Sequence, residues 1–494
     1  MSSAVETEPA GGERTAEAVV PAAKLAAQVA RRIEEAVIAR GWPVGASLGS
    51  ELELREKYGV SRSVLREAVR LVEHHQVARM RRGPNGGLFV SAPDAGPATR
   101  AIVIYLEYVG TSVTDLLEAR LLLEPIAASL ATDQISEDGI ATLRATLDDE
   151  AACLGGRGIA AQDRLHPLLG ELSGNPVLRL FIEVLTRLTA RFAHTSRRVS
   201  KSEVTESKRI SHRAHLAIVE AVIAGDGARA HTALTAHLES VADWIEAHRV
   251  RHRGRVAASA AEPERVDAPQ AKLAEVVAAR IHDDIAARGW PIGTVFGSET
   301  DLLDRYGVSR AALREAIRLL EYHSVARMRR GPGGGLVVTR PEPQASIDTM
   351  ALVLEYQGVT ADNLRTVRNA IELGIVDRVT ARYSQGEVDV GDHLKAAIQL
   401  STERPDDYVR KADIFHTELA AIGGNPVLSL FLAIITELFR RHTAEYSRPS
   451  REEGAAAEVR YAHERILDAV LQGDSGLARH RMRRHLDAVV PWWH

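Results

Sequence analysis

An internal repeat limits the possible folds of this chain more than any other feature. The stretch "GVSRSVLREAVRLVEHHQVARMRRGPNGGLFV" at residues 59 to 90 recurs as "GVSRAALREAIRLLEYHSVARMRRGPGGGLVV" at residues 307 to 338, 248 positions later. Further along, "SGNPVLRLF" is matched by "GGNPVLSLF". This period is too long for a solenoid repeat, so each copy is expected to be a complete module. The chain is predicted to be a tandem duplication with about four domains.

Composition favours a mainly helical fold. Aromatic residues make up only 4% of the 494 residues, whereas Ala, Leu, Arg and Glu are frequent, and these four residue types are good helix formers. The single cysteine, Cys153, excludes an internal disulfide. The sequence has no apolar run of about 18 residues and no secretory leader. We therefore expect a cytoplasmic chain without membrane contact.

The repeated stretch predicts a helix with one apolar and one basic face. In copy 2 the apolar residues at helical spacing are Leu313, Ile317 and Leu320. Ser309 is the predicted N-cap. The exposed face carries an arginine every fourth residue, at Arg310, Arg314 and Arg318. Arginine side chains pair with phosphate oxygens or with the O6/N7 edge of guanine, so this face suits DNA.

The flanking segments extend the same interpretation. A second short helix, "SETDLLDRYGV", comes before the basic helix, and Gly307 supplies the tight turn between them. After the basic helix, Arg327, Arg329 and Arg330 lead into a glycine-rich hairpin of two predicted strands. Copy 1 repeats the pattern with Ser61, Arg62, Arg66, Arg70, Arg79, Arg81 and Arg82. A merely solvated face, or one paired with Glu315 and Glu321, is the alternative, but the second copy favours DNA binding.

The motif "GVSRxxLREAxRLxExxxVARMRRGPxGG", preceded by "GSE", resembles the winged helix-turn-helix of the GntR family of bacterial transcription regulators. The helical remainder of each copy resembles the ligand-sensing domain of the FadR subfamily. The resemblance implies a mainly α chain with two winged helix-turn-helix domains and two all-helical sensing bundles in tandem. The divisions that the resemblance implies are the winged helix-turn-helix module 1 (23–93), helical domain 1 (98–248), the winged helix-turn-helix module 2 (271–341) and helical domain 2 (345–494). Composition predicts the other two segments: a disordered tail (1–22), rich in Ala, Gly, Glu and Thr without a period, and a linker (249–270) that becomes rich in Ala, Pro and Glu.

The resemblance also implies which residues contact DNA. These are Ser61, Arg62, Arg66, Arg82 and Gly83 in module 1, and Ser309, Arg310, Arg314, Arg330 and Gly331 in module 2. One departure is visible, because Leu52 and Thr300 stand where many relatives carry a basic residue. One phosphate or base contact per module is therefore in question.

Each helical domain carries three histidines at matching places. They are His166, His215 and His237 in copy 1, and His416, His463 and His485 in copy 2. His463 continues an apolar helical stripe, and His485 lies on another, so both are expected to face the bundle interior. Three inward imidazoles could hold one metal ion, whereas three separately satisfied core histidines are the alternative.

The resemblance sharpens the metal hypothesis. Many FadR-type sensing domains hold a divalent metal through three histidines and an aspartate four residues before the first of them. Here Asp163 and Asp413 stand three residues before, which rotates each carboxylate by about 100° around its helix. The aspartate coordinates after adjustment, or the site consists of three histidines completed by water or an effector. We expect one divalent ion of the zinc, nickel or manganese class per domain.

An open metal position suggests a small organic acid as effector. Arg120 and Arg368 hold matching places in the first sensing helix and could pair with such an anion. A salt bridge to Glu124 or Glu372 at i+4 is the alternative.

These features predict a DNA-binding regulator, with repression expected, rather than an enzyme. Its predicted partners are a double-stranded operator with an inverted repeat and a small carboxylate, and its two halves are expected to form an intramolecular pseudo-dimer that could pair again with a second chain. Two alternatives remain. One is a metal-dependent hydrolase or isomerase at the three-histidine sites, and the other is a non-specific architectural DNA protein.

Overall fold

The computed structural model describes residues 22–83, 86–154, 164–193, 200–247, 270–331, 333–400, 408–443 and 452–488. The predicted tail and the predicted linker fall almost wholly outside these ranges. By internal contacts the chain divides into two units, one ending at Pro93 and the other beginning at Asp94. No helix in the described ranges is long and apolar enough to cross a membrane.

The first unit is a small three-helix module with a sheet. Its elements are α1 (Ala22–Ile38), β1 (Ser47–Gly49), α2 (Glu51–Tyr58), α3 (Arg62–His74), β2 (Ala78–Arg81) and β3 (Gly87–Val90). The antiparallel sheet has the order β1-β3-β2. Apolar residues on one side of α1, among them Ile33 and Val37, are buried together with Leu65 and Val72 of α3. This packing leaves the other side of α3 exposed.

The second unit contains helical domain 1, module 2 and helical domain 2. Helical domain 1 consists of α4 (Ala95–Tyr108), α5 (Val113–Gln134), α6 (Glu137–Cys153), α7 (Leu165–Leu172), α8 (Pro176–Ala193), α9 (Lys201–Ile223) and α10 (Gly227–Ala247). Module 2 consists of α11 (Gln270–Ala287), β4 (Val295–Gly297), α12 (Glu299–Tyr306), α13 (Arg310–Tyr322), β5 (Ala326–Arg329) and β6 (Gly335–Val338). Its sheet has the order β4-β6-β5 and the same register as that of module 1.

Helical domain 2 completes the chain. It consists of α14 (Pro343–Tyr356), α15 (Ala361–Ser384), α16 (Gly391–Leu400), α17 (Tyr408–Gly423), α18 (Pro426–Thr443), α19 (Glu452–Leu471) and α20 (Ser475–Ala488). The mainly helical architecture predicted from the sequence is confirmed. The sequence predicted only two strands per module, and the additional strand in each, β1 or β4, was missed because three residues are too few to show an alternating pattern.

The two helical domains share one hydrophobic core. Helix α4 packs on α14, and α5 packs on α15. The rings of Phe181 and Phe431, one from each domain, stack with centroids 3.8 Å apart. Burial of large apolar side chains from both domains in one continuous cluster favours their association through the hydrophobic effect.

Module 2 packs against helical domain 1. The Trp290 ring meets the Tyr108 ring edge-on, with centroids 5.3 Å apart. Nearby, Nε2 of the buried His282 lies 3.5 Å from Oε2 of Glu107. Glu107 and Tyr108 end α4, and a short turn joins α4 to α5. Module 2, which belongs to copy 2, therefore contacts α4 of copy 1, the helix immediately before α5.

Candidate functional site

In module 1, the predicted recognition helix is α3. Ser61 caps it as predicted, because its hydroxyl oxygen accepts a hydrogen bond from the Val64 backbone N–H at 3.4 Å. Glu51 begins α2, and its Oε1 lies 2.7 Å from Nε of Arg62 and 3.3 Å from Nε of Arg66. Both arginine side chains remain about 60% exposed, at 62% and 59%. Glu51 therefore links the two arginines while leaving both accessible to a ligand.

Module 2 has the same arrangement. Ser309 caps α13 through the Ala312 backbone N–H at 3.3 Å. Nε of Arg310 and Nε of Arg314 lie 3.1 Å and 3.8 Å from Oε1 of Glu299, and both side chains are more than 60% exposed. Gly307 ends α12 with φ +62°, the left-handed conformation expected of the turn.

Hydrogen bonding between Glu51 and Arg62, together with the positive charges of both arginines, lowers the pKa of the Glu51 carboxyl. The ionised carboxylate restricts two long side chains that would otherwise sample many rotamers. A phosphate or a guanine edge can then be bound with less loss of side-chain entropy. This role of Glu51 and Glu299 was not predicted from the sequence, although both lie in the "GSE" that precedes each motif.

The remaining predicted DNA contacts lie in the hairpins. Arg82 and Arg330 are exposed at the ends of the strands β2 and β5. Gly83 and Gly331 follow with φ +116° and +99°, conformations that disfavour other residues. Each hairpin therefore begins with an exposed arginine on a tight backbone turn. Leu52, the departure from the family pattern, is 60% exposed on α2.

The three histidines of copy 1 come together as predicted, and we call this cluster site 1. His166 on α7, His215 on α9 and His237 on α10 are all buried. One ring nitrogen of each lies within 4.8 Å of the other two. Nε2 of His215 and Nε2 of His237 are 3.2 Å apart.

The three histidines of copy 2 form the matching site 2. His416 on α17, His463 on α19 and His485 on α20 are likewise buried and convergent. Nε2 of His485 lies 3.2 Å from Nε2 of both His416 and His463. The prediction that His463 and His485 face the interior is confirmed.

A carboxylate orients the first histidine of each site. Nδ1 of His166 hydrogen-bonds to Oε2 of Glu124 at 2.6 Å, and Nδ1 of His416 hydrogen-bonds to Glu372. A carboxylate on Nδ1 holds the proton there and leaves the Nε2 lone pair available. The same glutamates pair with Arg120 and Arg368, with Nε to Oε1 distances of 2.5 Å in both copies. The i+4 salt bridge, which was the alternative to an anion contact, is thus present in both copies.

In site 1, Glu150 orients a second histidine. It is buried on α6, and both of its carboxylate oxygens lie 2.9 Å from Nδ1 of His215. Glu150 was not predicted from the sequence, because no motif links it to a histidine 65 positions later. In site 2, Nδ1 of His463 is buried without a hydrogen-bond partner among the described residues, and its ring stacks on Phe415 with centroids 4.1 Å apart.

The predicted aspartates have different outcomes. Asp163 lies outside the described residues. Asp413 lies with Oδ1 3.6 Å from Nη2 of Arg368, and it does not belong to the group of converging ligand atoms found among the described residues. Burial raises the pKa of the Asp413 carboxyl, against the opposing effect of Arg368.

Burial favours the neutral imidazole in four of the six clustered histidines. Burial, together with the charge of neighbouring histidines, lowers the pKa of His237 to about 2 and that of His485 to about 3. Burial also lowers the pKa of His215 and of His463. Neutral imidazole with a free nitrogen lone pair is the form that binds a metal ion.

The geometry fits a metal ion. In a tetrahedral site with metal to nitrogen distances of about 2.0–2.1 Å, neighbouring nitrogens lie roughly 3.3 Å apart. One Nε2 separation in site 1 and two in site 2 are 3.2 Å, close to that value, and the ligand nitrogens of each site all lie within 4.8 Å of one another. Three nitrogens aimed at one point cannot all be satisfied by hydrogen bonds to each other, because neutral imidazole carries a single N–H. Of the metals predicted from the sequence, zinc and nickel suit this donor set of three imidazoles, whereas manganese prefers oxygen ligands.

Comparison with known families identifies both parts of each copy. The family model described as "FCD domain" matches residues 115–240 and 363–488, half of the chain. The model described as "Bacterial regulatory proteins, gntR family" matches residues 25–90 and 273–336. The matched ranges contain the two basic helices and all six clustered histidines.

Individual relatives match a length close to that of one copy. The HTH-type transcriptional repressor NanR of Enterobacter sp. (strain 638) is 26% identical over 227 residues, which cover 45% of this chain and 85% of the relative. NanR of Citrobacter rodentium (strain ICC168) is 27% identical over 237 residues, which cover 45% and 86%. Among solved structures, Streptococcus agalactiae GntR aligns with 25% identity and a TM-score of 0.33 over 44% of this chain and 99% of its own.

Proposed function

Because the chain belongs to the GntR family of bacterial regulatory proteins and carries two FCD domains, we propose that it represses transcription from an inverted-repeat operator under the control of a small carboxylate. The coarser part of this statement, a GntR-type DNA-binding transcriptional regulator with FCD ligand-binding domains, follows from the family. The related NanR proteins are repressors. The related NanR proteins are regulators rather than enzymes. We therefore propose no catalytic function.

The observation that carries the proposal is the repeated pair of exposed arginines at the start of α3 and α13. Each pair is linked by one glutamate and stands at a capped helix N-terminus. An inverted repeat presents two equivalent half-sites, which two equivalent helices fit. The proposed contacts are those named from the sequence, Ser61, Arg62, Arg66, Arg82 and Gly83 with their counterparts Ser309, Arg310, Arg314, Arg330 and Gly331.

Selection of bound sites from a random duplex library tests the DNA-binding proposal. We expect an enriched inverted repeat, because two similar modules prefer two similar half-sites. Absence of any enriched sequence would contradict the proposal and would favour a non-specific architectural protein. The Arg62→Ala/Arg66→Ala/Arg310→Ala/Arg314→Ala variant serves as the control, since it should select nothing.

We further propose the domain divisions predicted from the sequence, with helical domains 1 and 2 acting as an intramolecular pseudo-dimer. The continuous hydrophobic core and the stacked Phe181 and Phe431 rings support this pairing. Further pairing of two chains would place four modules on one DNA. The mass of the free chain in solution distinguishes the two arrangements.

For the metal, we propose that each three-histidine site holds one divalent ion. The 3.2 Å nitrogen separations and the carboxylates on His166 and His416 support the assignment. When bound, the ion would supply an open coordination position for water or a carboxylate. Elemental analysis of chain purified without chelator should find two equivalents per chain. No stoichiometric metal would contradict the assignment.

For the effector, we propose a small organic acid bound near site 1 and site 2. Arg120 and Arg368 are the proposed anion contacts. Each guanidinium carries five N–H donors, so an anion can share the arginine with the glutamate that already pairs with it. A panel of small carboxylates screened by thermal shift should contain a stabilising ligand. Arg120→Gln should reduce that shift, whereas Arg144→Gln, at an exposed position on α6, should not.

The contact between module 2 and α4 supports a route from effector to DNA. Glu107 and Tyr108 touch module 2, and the same helix leads by a short turn into α5, which carries Arg120 and Glu124. A small displacement of α5 at site 1 would therefore move the surface on which module 2 rests. Only some placements of two recognition helices fit two half-sites, so such movement would change operator affinity.

A further inference from the structure

The interface between the two helical domains is not symmetric, although the two copies are related by duplication. Two of its hydrogen bonds, each from an asparagine side chain to a backbone oxygen, are related by the repeat. Nδ2 of Asn425 donates to the backbone oxygen of Asp115 at 3.1 Å, and Nδ2 of Asn175 donates to the backbone oxygen of Asn363 at the same distance. The two equivalent ends of the interface can therefore be compared side chain by side chain.

One end of the interface is ionic. Nη1 of Arg378 donates to Oε2 of Glu118 at 2.5 Å, and Nη2 lies 3.5 Å from Oδ1 of Asp115. Nδ2 of Asn425 also donates to Glu118, at 2.9 Å. Only about a quarter of the Arg378 and Glu118 side chains is exposed, at 25% and 27%. Copy 2 therefore supplies the cation, and copy 1 supplies both anions.

Among the described residues, the matching positions at the other end of the interface carry no charged side chain. The repeat relates Arg378 to Leu130, Glu118 to Thr366 and Asp115 to Asn363. If two first halves paired, Glu118 would face Leu130 at both ends. If two second halves paired, Arg378 would face Thr366 at both ends. Either arrangement would leave partly buried charges without a partner, which is unfavourable.

Side-chain size shows the same asymmetry along α5 and α15. A Cβ atom added to Gly374 would lie 2.4 Å from Cδ1 of Leu122, so a large residue of copy 1 fills the space left by a glycine of copy 2. The repeat relates Leu122 to Ala370 and Gly374 to Ile126. Both large residues therefore belong to copy 1, and both small ones belong to copy 2. Two first halves would place large side chains against large ones, and two second halves would place small side chains against small ones. Overpacking in the first case and a cavity in the second would both destabilise the interface.

We infer that this interface specifies pairing of a first half with a second half and disfavours pairing of like halves. Charge and size act in the same direction through independent residues, and disfavouring the wrong partner is a recognised source of specificity. The inference rests on the proposed pseudo-dimer of the helical domains. Each first half therefore requires a second half as its partner. A single chain contains one of each.

The test uses the full chain with a protease site placed in the predicted linker at residues 249–270. After folding, the chain is cut, and native mass spectrometry follows the two fragments through dilution and reconcentration. We expect pairs of one first half with one second half. Pairs of like halves forming as readily as unlike pairs would overturn the inference.

Charge reversal provides the decisive variants. Glu118→Arg and Arg378→Glu should each weaken association of the cut halves about tenfold or more, as close charge pairs at other interfaces do. The double variant should recover most of the loss. Arg365→Glu is the matched control, because Arg365 lies on the same helix paired with Asp362. Single reversals that behave like Arg365→Glu would overturn the inference.

Packing provides a second, uncharged test. Gly374→Ala should weaken association by its contact with Leu122, and Leu122→Ala in the same chain should relieve it. If Gly374 mattered only as a helical residue, alanine would instead stabilise the helix. Neither test involves DNA or metal, so their failure would leave operator binding and metal binding unaffected. Failure of site selection would in turn leave the pairing result standing.

Discussion

Sites 1 and 2 share their histidines but differ in what surrounds the second one. In site 1, Glu150 holds Nδ1 of His215. In site 2, the matching His463 stacks on Phe415, and its Nδ1 has no hydrogen-bond partner within the described ranges. The glutamate and arginine beside the first histidine are the same in both copies. The glutamate and arginine beside the first histidine are therefore common to both sites, whereas the group that contacts the second histidine differs.

The difference has a chemical consequence. A carboxylate on a ligating histidine fixes the ring, selects the Nε2 lone pair and increases its basicity. Among the described residues, site 1 has two such carboxylates, Glu124 and Glu150, whereas site 2 has one, Glu372. We therefore expect site 1 to bind a divalent ion more tightly than site 2. Four sets of variants compare the two copies, three of them at the histidine sites and one at the arginine pairs of the recognition helices.

Loss of a ligand should have the largest effect. His237→Ala should remove the metal of site 1 and leave that of site 2, and His485→Ala should do the reverse, because two histidines alone hold an ion weakly. Elemental analysis should change from two equivalents per chain to one in each case. His231→Ala and His480→Ala, at exposed histidines of the same helices, are the controls. Two remaining equivalents in either ligand variant would refute the assignment of that site.

Loss of the paired arginines should come next. Each phosphate or base contact contributes about 1–3 kcal/mol, so Arg62→Ala/Arg66→Ala should weaken operator binding by roughly 30-fold or more. Arg310→Ala/Arg314→Ala should weaken operator binding by about the same factor, since both arginine pairs have the same geometry. Binding is measured by fluorescence anisotropy at one fixed salt concentration. Arg70→Ala and Arg318→Ala, one turn further along, should cost less, and a large loss from only one pair would indicate that one module dominates.

Removal of the second carboxylate should make the two sites more alike. Glu150→Gln should weaken metal binding at site 1 by about 10- to 100-fold, the usual cost of losing a group that orients a ligand. Competition with a chelator of known affinity measures the change. Glu137→Gln, exposed on the same helix, is the control. Unchanged affinity at site 1 would show that Glu150 serves packing rather than the metal.

Replacement of the stacked aromatic should have the smallest effect. Leu165 occupies the place in copy 1 that Phe415 occupies in copy 2. Phe415→Leu should lower the free energy of unfolding by about 1 kcal/mol through the lost ring contact, and it should leave metal affinity at site 2 nearly unchanged. Chemical denaturation of metal-free chain measures the first quantity. A large loss of metal affinity would show instead that the ring positions His463.

The sequence predicted much of each module, because local signals define it. The Ser61 and Ser309 caps, the Gly307 turn and the exposed arginine face depend on residues within one turn of each other. The three inward histidines were predictable from helical stripes and from their recurrence in both copies. These features are local or repeated, so one sequence suffices to find them.

Other features depend on distant residues and were not predictable. Glu150 reaches His215 across 65 positions, and Arg378 reaches Glu118 across 260. The aspartate position beside the first histidine suggested a metal ligand, but in the structure Asp413 lies beside Arg368, because one residue of offset turns its side chain to another flank of the helix. Tertiary packing decides such contacts.

The mass of the complex between the chain and its selected operator tests the central claim most directly. We propose that one chain supplies both recognition helices for the two half-sites. Sedimentation or native mass spectrometry should therefore find one chain bound to one inverted repeat, with both arginine pairs contributing to affinity. Two chains required for each repeat, or one chain bound equally well to an isolated half-site, would contradict the account.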